Sequence, residues 1–185
     1  NQSCRAALET INHEANRSAT IVKDLLALTR WRDRERRMPT DLNDIVGYIV
    51  RTRRYALETA GIAFVVELQP GLPPVNGDRA QLEQVILNLL NNAEQALGQR
   101  LDPRDVAGGS RVSIRTRQER DRVVIEVEDN GPGIPEEIRS RIWDPFWTTK
   151  PEGEGTGLGL AVVHGIVVDH GGTITLEPTA RPGAR

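Results

Sequence analysis

Apolar positions recur every three or four residues in several stretches of the chain, and this spacing predicts amphipathic helices. The predicted helices cover residues 3–37, 41–60, 79–97 and 158–169, with a short one at 135–142. The first stretch contains no Gly or Pro, and Pro39 ends it. A lone helix of this length has no core of its own, so its apolar stripe needs a partner helix or a partner chain.

Alternation of apolar and polar positions predicts the strands. One strand is expected at 62–68, and a hairpin at 112–117 and 123–128, where a short polar turn separates two alternating runs. A last strand is expected at 173–177, with no visible partner strand downstream. Residues 70–77 and 98–110 read as loops. The break at Pro39 predicts a domain boundary between residues 1–37 and 38–185.

Composition excludes several classes of protein. The chain has 185 residues, 24 Lys+Arg against 26 Asp+Glu, and a formal charge of −2. This balance disfavours a non-specific nucleic-acid binder, which needs a cationic surface. A single cysteine, Cys4, rules out an intramolecular disulfide or a cysteine-cluster metal site. No apolar run is long enough for a membrane span, so a soluble protein or fragment of a reducing compartment is expected.

Amide side chains mark one side of the helix predicted at 79–97. Gln84, Asn88 and Asn92 lie four residues apart and form a stripe that we expect opposite the apolar one. Asparagine is a poor residue for a helix interior. One interpretation is a solvated polar face with some satisfied buried amides. The other is a set of oxygen ligands for a hard cation such as Mg²⁺.

A glycine-rich turn follows the second hairpin strand, at Asp129-Asn-Gly-Pro-Gly133. It reads either as a turn capped by its aspartate or as a ligand site. In the second interpretation the Asp129 carboxylate accepts a hydrogen bond from an exocyclic amine. Gly131 and Gly133 would let the ligand approach the backbone closely.

A second glycine-rich segment, Gly155-Thr-Gly-Leu-Gly-Leu160, opens the helix predicted at 158–169. Backbone N–H groups at a helix N-terminus bind phosphate well. No strand precedes this segment, and the lysine of a P-loop is absent, so dinucleotide and P-loop sites are disfavoured. Lys150, one of only two lysines in the chain, precedes it in a mobile loop predicted at 147–157.

Taken in order, these motifs resemble the ATP-binding domain of sensor histidine kinases of two-component systems. Asn88-Leu-Leu-Asn-Asn-Ala93 resembles the asparagine box, and Asp129 to Ile134 the first glycine box. Trp143-Asp-Pro-Phe-Trp-Thr-Thr-Lys150 is similar to the phenylalanine box of the nitrogen-regulatory-like subgroup, and Gly155 to Leu160 to the second glycine box. The resemblance covers residues 38–177, and residues 1–37 look like the second helix of the dimerisation hairpin.

The resemblance implies an α+β fold, a two-layer α/β sandwich of the Bergerat type in the GHKL superfamily, preceded by one long helix. It implies that Asp129 accepts the adenine amino group of ATP or ADP, with Gly131 and Gly133 shaping the pocket. Asn92 would coordinate Mg²⁺, with Asn88 supporting metal or phosphate. Lys150 and one backbone run would meet the phosphates; that run comprises Gly155, Thr156, Gly157, Leu158 and Gly159.

The resemblance further implies a protein-histidine kinase whose parent is a homodimer and relays phosphate to a response-regulator receiver domain. The histidine box of the family is missing here, because His13-Glu-Ala-Asn-Arg17 lacks its proline and has its asparagine one residue early. We therefore expect a cytoplasmic catalytic fragment, cut at both ends, whose acceptor histidine lies elsewhere. Trp143, Phe146 and Trp147 are expected to pack in the core beside the loop, and His164 and His170 to serve their helix.

Three rival functions remain at this stage. An ATP-hydrolysing GHKL enzyme places a Glu base where this chain has Asn88, and an amide cannot take that proton. A serine kinase acting on a partner protein is disfavoured by the long first helix. A non-catalytic nucleotide-sensing module would carry the same binding residues and can be separated only by its lack of phosphoryl transfer.

Overall fold

The computed structural model describes residues 36–98, 109–151, 155–177 and 183–184, together with eight separate positions between 5 and 22. It contains five strands, β1 (Met38–Thr40), β2 (Ile62–Leu68), β3 (Val75–Gly77), β4 (Ser110–Glu119) and β5 (Arg122–Asp129). The three α-helices after residue 36 are α1 (Leu42–Thr59), α2 (Arg79–Gly98) and α3 (Gly159–Asp169). None of the described helices is both long and apolar enough to cross a bilayer.

The predicted N-terminal helix is described only in part. The eight described positions are helical and exposed. Leu8, Ile11 and Val22 of the apolar stripe are 61%, 64% and 54% exposed. Arg36 and Arg37 are described and are not α-helical, so the helix does not run to residue 37 as predicted. Its remaining residues, Cys4 and His13 among them, lie outside the described part of the chain.

The main sheet has three strands in the order β2-β4-β5. β2 runs parallel to β4, with Phe64 opposite Val112, and β4 runs antiparallel to β5, with Ile114 opposite Val127. The sequence pattern predicted all three strands. β2 has the predicted bounds, and the two hairpin strands are one or two residues longer at each end than predicted. A parallel pair next to a hairpin requires a crossover, and α2 lies within it.

Two short strands were not predicted. Residues 75–77, expected as loop, form β3, which pairs antiparallel with β1. The hydroxyl of Thr40 donates to the carbonyl oxygen of Gly77 at 3.0 Å and reinforces this pairing. A strand of three residues is too short to show an alternation, so the sequence carried no periodic signal for either one.

Helices α1 and α2 cover one face of the sheet. The buried side chains of this core come from both helices and from the inner face of β2 and β4, and include Ile45, Ile49, Ile86, Leu90, Phe64, Val112 and Ile114. A second cluster joins α2 to α3 through Val85, Val162, Val163 and Ile166. The predicted two-layer α/β sandwich is confirmed.

Charged residues occupy the other face of the sheet. Arg115 donates to Glu128 at 2.7 Å and to Glu67 at 2.8 Å, and Arg117 pairs with Glu119 and Glu126. The hydrogen bonds of Arg115, first to Glu128 and then to Glu67, raise its pKa further above the ordinary arginine range. The acidic partners therefore stabilise the charged form of Arg115 on this face of the sheet.

Two further predictions were wrong. The short helix expected at 135–142 is a single 3₁₀ turn, Glu136–Ile138, followed by turns. Residues 173–177, expected as the last strand, have no regular secondary structure. In its place, Ala184 forms an antiparallel bridge with Asp129 at the end of β5, and the Asp129 N–H donates to the Ala184 carbonyl at 2.9 Å.

Candidate functional site

The amide row on α2 lies beside the contact with α3. Gln84, Asn88 and Asn92 are half-buried, and the α3-facing residues Val85 and Leu89 follow them directly in the helix. The stripe lies opposite the sheet-facing residues of α2, as predicted, and also adjoins a second apolar side of the helix, which packs against α3. A helix with two buried sides has only a narrow polar strip left, so the three amides are half-buried and not fully solvated.

Asn88 connects this row to the glycine-rich segment. Its amide nitrogen donates to the carbonyl oxygen of Gly159 at 3.2 Å, in the first turn of α3. A carbonyl only accepts, so the nitrogen is the end of the amide that faces Gly159, and the oxygen faces away from it. This hydrogen bond orients the one atom of Asn88 that could ligate a cation.

Asn92 has an amide that is not committed to the fold. Its nitrogen is buried and has no hydrogen-bond partner among the described residues, and the same holds for the amide nitrogen of Gln84. Buried polar atoms are nearly always paired in native proteins, so an orphan of this kind calls for an explanation. An amide nitrogen only donates, so its missing partner would be an acceptor such as a phosphate oxygen, whereas the amide oxygens of the row are the atoms that suit a hard cation.

The third asparagine of the cluster has a different role. Asn91 faces α1, where its side-chain oxygen accepts from the guanidinium of Arg53 at 3.0 Å. Arg53 also pairs with Glu94 of α2. Asn91 thus ties α2 to α1, and the sequence alone did not separate it from Asn88 and Asn92.

Asp129 ends β5 in a buried position, with 8% of its surface exposed. One carboxylate oxygen accepts from the Gly131 N–H at 2.7 Å. A Cβ on Gly131 would lie 2.6 Å from that same oxygen and 3.4 Å from the Cβ of Ala96 on α2. Only glycine therefore fits between the aspartate and α2.

Gly133 closes the same turn against the end of the chain. Its φ is +78°, and a Cβ there would lie 2.8 Å from the carbonyl oxygen of Gly183. Both features exclude a side chain at this position. The first glycine box thus packs on α2 at Gly131 and on residues 183–184 at Gly133.

Phe146 and Gly157 close the loop that precedes α3. The Phe146 N–H donates to the Gly157 carbonyl at 2.9 Å, and both residues have positive φ, +67° and +64°. A Cβ on Gly157 would lie 2.4 Å from the carbonyl carbon of Phe146. Phe146 is 65% exposed, so the expectation that it packs in the core is wrong.

The other two aromatic residues of this segment are half-buried. Trp143 contacts His164 of α3, with ring centroids 5.8 Å apart. The guanidinium of Arg141 lies over the ring of Trp147, 5.5 Å from its centroid. Trp143 thus packs on a face of α3 and Trp147 on the cation of Arg141, so both support the loop from outside the core.

The second glycine box leads directly into α3. The Thr156 hydroxyl accepts from the Leu158 N–H at 3.2 Å, and Leu158 is fully buried as the N-cap residue of the helix. The N-cap supplies no side-chain hydrogen bond to the first turn. The backbone N–H groups of the first turn, which begins at Gly159, are therefore not capped by the N-cap side chain, and they can bind an anion as at other helix N-termini.

Lys150 reaches α2 from the same loop. Its ammonium donates to the side-chain oxygen of Gln95. Its backbone N–H donates to the Thr148 hydroxyl at 3.1 Å, and a Cβ on Gly155 would lie 2.7 Å from that hydroxyl and 3.1 Å from Cδ of Lys150. Gly155 therefore leaves room for the lysine stem to lie across the loop.

These contacts bring three separate segments to one arc of α2. Asn88 contacts Gly159, Gln95 contacts Lys150, and Ala96 lies against Gly131. With roughly 100° between successive helical residues, these three side chains and Asn92 fall within one third of the helix circumference. All the predicted site residues are on this arc or in the segments that touch it.

Comparison with known proteins gives this arrangement its family. Residues 77–185 match the model of the histidine kinase-, DNA gyrase B-, and HSP90-like ATPase family. The chain belongs to this ATPase family. The matched region contains the amide row and the two glycine-rich segments, which explains why they meet in the fold.

The curated relatives are sensor kinases. The chain is 40% identical over 179 residues to sensor kinase CckA of Brucella abortus, covering 94% of this chain and 19% of that protein. It is 35% identical over 180 residues to the sensory histidine kinase/phosphatase NtrB of Rhizobium leguminosarum bv. phaseoli, covering 94% of this chain and 46% of that protein. The chain therefore spans less than half the length of these relatives.

Solved structures agree with this assignment. The catalytic domain of histidine kinase ThkA superimposes with a TM-score of 0.66 and 29% identity, over 80% of this chain and 90% of that one. ThkA in complex with the response regulator protein TrrA gives a TM-score of 0.71 at 28% identity, over 94% of this chain and 47% of that one. The chain carries the ATP-binding catalytic domain of a histidine kinase.

Within this ATPase domain the structure adds residues that sequence reasoning missed. Gln95 is the contact of Lys150, and His170 accepts a hydrogen bond from the Asp78 N–H at 3.1 Å. Gln95 could have been found from spacing, since it lies seven residues after Asn88 and three after Asn92. Nothing in the sequence pairs His170 with Asp78, which is 92 residues away.

Proposed function

We propose that this chain is the catalytic module of a sensor histidine kinase and that it transfers the γ-phosphoryl group of ATP to a histidine outside the sequence given. The observation that carries the proposal is the meeting of three segments on one arc of α2. A carboxylate that can accept a hydrogen bond from adenine, a row of amides and a helix N-terminus that can bind phosphate meet along one face of α2. A nucleoside triphosphate needs an acceptor for its base, oxygen ligands for its metal ion and donors for its phosphates side by side.

Asp129 is the adenine contact. Its carboxylate is buried, and one of its oxygens is oriented by the Gly131 N–H, so it can accept a hydrogen bond from the exocyclic amine. A charged acceptor in a buried site gives a stronger hydrogen bond than a neutral one. Gly131 and Gly133 keep side chains away from this end of the pocket.

Asn92 and Asn88 are the residues that would hold Mg²⁺. Their side-chain oxygens are the ligand type that a hard cation prefers, and the hydrogen bond of the Asn88 nitrogen to Gly159 turns the Asn88 oxygen away from α3. The amide nitrogen of Asn92, unpaired among the described residues, can donate to a phosphate oxygen beside the metal. When bound, the metal would neutralise charge on the phosphates. Asn88 also secures the start of α3 through Gly159, so it acts on metal and phosphate together.

Lys150 and the backbone of the second glycine box bind the phosphates. The run Gly155, Thr156, Gly157, Leu158 and Gly159 leads to the N-terminus of α3, whose N–H groups favour an anion. Lys150 adds a positive charge from the preceding loop. Both contacts hold the transferring group in line with its acceptor, which is where catalysis of phosphoryl transfer chiefly lies.

The residue types favour an imidazole acceptor over water. Asn88 stands where a hydrolytic relative needs a general base, and an amide cannot accept a proton at neutral pH. A neutral imidazole brings its own lone pair, so a nitrogen–phosphorus bond forms as the bond to the leaving ADP breaks. This step needs charge stabilisation and positioning from the chain, and no base.

The relatives support a place in two-component signalling. Sensor kinases in the comparison, and the ThkA complex with its response regulator, indicate relay of the phosphoryl group to a receiver domain. We place the parent as a homodimer, with residues 1–37 as part of its dimerisation hairpin. The exposed stripe of Leu8, Ile11 and Val22 fits that role, and the module would work in the cytoplasm.

Phosphoryl transfer to a supplied acceptor tests the proposal. The full chain is mixed with γ-labelled ATP, Mg²⁺ and the histidine-bearing hairpin of the CckA relative, and an acid-labile label on the hairpin is expected. The control hairpin has its histidine replaced by Ala. Nucleotide binding without any transfer would favour a non-catalytic sensing module and overturn the kinase proposal.

A further inference from the structure

The lysine of the loop contacts α2. The ammonium of Lys150 donates to the side-chain oxygen of Gln95, across 55 residues of sequence. Both side chains reach this contact from the solvent side, where Gln95 is exposed and Lys150 is half-buried. A contact between two long polar side chains costs rotamer entropy, so its occurrence here needs structural support.

The loop supplies that support. The Thr148 hydroxyl accepts from the Lys150 N–H at 3.1 Å and fixes the backbone where the lysine stem begins. A Cβ at Gly155 would lie 3.2 Å from Cβ and 3.1 Å from Cδ of Lys150, so the stem lies directly against this glycine. The direction of the lysine is thus set at its backbone, along its stem and at its ammonium.

Gln95 continues the amide row toward the end of α2. It lies three residues after Asn92 and seven after Asn88, so it shares their side of the helix. The rise of 1.5 Å per residue places it about 4.5 Å along the axis beyond Asn92. The backbone of Gln95 is thus a little less than one helical turn from that of the proposed metal ligand.

We infer that Gln95 is a positioning residue, which holds Lys150 over the amide row so that its ammonium meets the phosphates as the nucleotide arrives. An ammonium has three donors, so a hydrogen bond to Gln95 does not in itself prevent donation to phosphate oxygens. Gln95 then lowers the entropy lost when the lysine engages. This inference rests on the proposed nucleotide site and names a residue beyond it.

Calorimetry on the full chain tests the inference with two probes, adenylyl-imidodiphosphate with Mg²⁺, which has phosphates, and adenosine, which has none. Gln95→Ala is expected to weaken binding of the first about three- to tenfold and to change adenosine binding less than twofold. Alanine is the best helix former, so α2 stays intact. Gln118→Ala, a glutamine at the distant hairpin end, is the matched control and should bind like the parent chain.

A double-mutant cycle separates positioning from a general structural effect. In the Lys150→Ala background, Gln95→Ala should have no further effect on the triphosphate probe. An equal loss in both backgrounds, or no loss in the parent background while Lys150→Ala weakens binding, overturns the role of Gln95 and leaves the nucleotide site standing. Failure of the parent chain to bind the triphosphate probe overturns the site and the inference together.

Discussion

His170 and Asp78 join the end of α3 to the start of α2. The Nε2 atom of His170 accepts from the Asp78 N–H at 3.1 Å, and its Nδ1 atom lies 2.8 Å from the carbonyl oxygen of Ile166. A backbone N–H only donates and a carbonyl only accepts, so the ring is the neutral tautomer with its proton on Nδ1. This hydrogen bond joins α2 and α3, the two helices beside the amide row, at the end of α3 that is far from the second glycine box.

We predict that His170→Ala lowers the free energy of unfolding by about 1–3 kcal/mol, because a part-buried backbone donor loses its acceptor. Urea denaturation measures this change. His164→Ala, on the exposed face of the same helix, is the control and should cost less, since it loses only a ring contact with Trp143. Equal losses in the two variants would show that the hydrogen bond contributes nothing specific.

We predict that Asp129→Asn weakens nucleotide binding about 10–150-fold, through loss of a charge-assisted hydrogen bond of about 1.5–3 kcal/mol. The amide oxygen of the new side chain can still accept from the Gly131 N–H, so the turn should be preserved. Calorimetric titration with adenylyl-imidodiphosphate measures the affinity. Asp121→Asn in the hairpin turn is the control. Unchanged affinity in Asp129→Asn would remove this residue from the adenine contact.

Asn92→Ala should abolish most of the Mg²⁺-dependent part of nucleotide binding and leave the part measured in excess chelator nearly unchanged. The physical reason is the loss of an amide oxygen from a site that offers few protein ligands. The matched control is Asn91→Ala, one residue away, which loses its hydrogen bond with Arg53 on the other side of α2. Titrations with and without Mg²⁺ measure both variants. A similar loss of Mg²⁺ dependence in Asn91→Ala would argue that the helix, and not the ligand, was damaged.

The helices and the main sheet could be predicted because each has a long periodic pattern. α2 is the clearest case, since its apolar positions repeat over about four turns, and four buried members of that pattern fill the core. β1 and β3 have three residues each, which is too short for a period. Residues 173–177 alternate like a strand but have no regular structure. A strand there would need a partner strand, and the end of β5 is bridged by Ala184 instead.

The site was predictable in its residue types and order but not in its contacts. Asp129, Gly131 and Asn92 each combine a residue type and a spacing that the sequence displays. The contacts of Gln95 with Lys150 and of Asn88 with Gly159 depend on how α2, α3 and the loop pack. Three-dimensional packing also decided that Asn91 faces α1, although it lies in the same run of asparagines.

Gly157→Ala should open the loop closure at Phe146. At a φ of +64°, with its Cβ placed 2.4 Å from the carbonyl carbon of Phe146, alanine is strained and has no room, so the hydrogen bond between residues 146 and 157 should break. Hydrogen exchange at the Phe146 amide is the direct measurement, because local opening can leave global stability unchanged. We expect at least tenfold faster exchange there, and weaker binding of adenylyl-imidodiphosphate.

Gly159→Ala is the control for this loop, because a Cβ at that position meets no atom within 4 Å and the residue is helical. Its exchange at Phe146 should match the parent chain, and the better helix propensity of alanine should hold or raise stability. If Gly157→Ala left exchange at Phe146 unchanged, the closure would not depend on this glycine, and the positive φ shared by the two residues would have no part in shaping the phosphate end of the site.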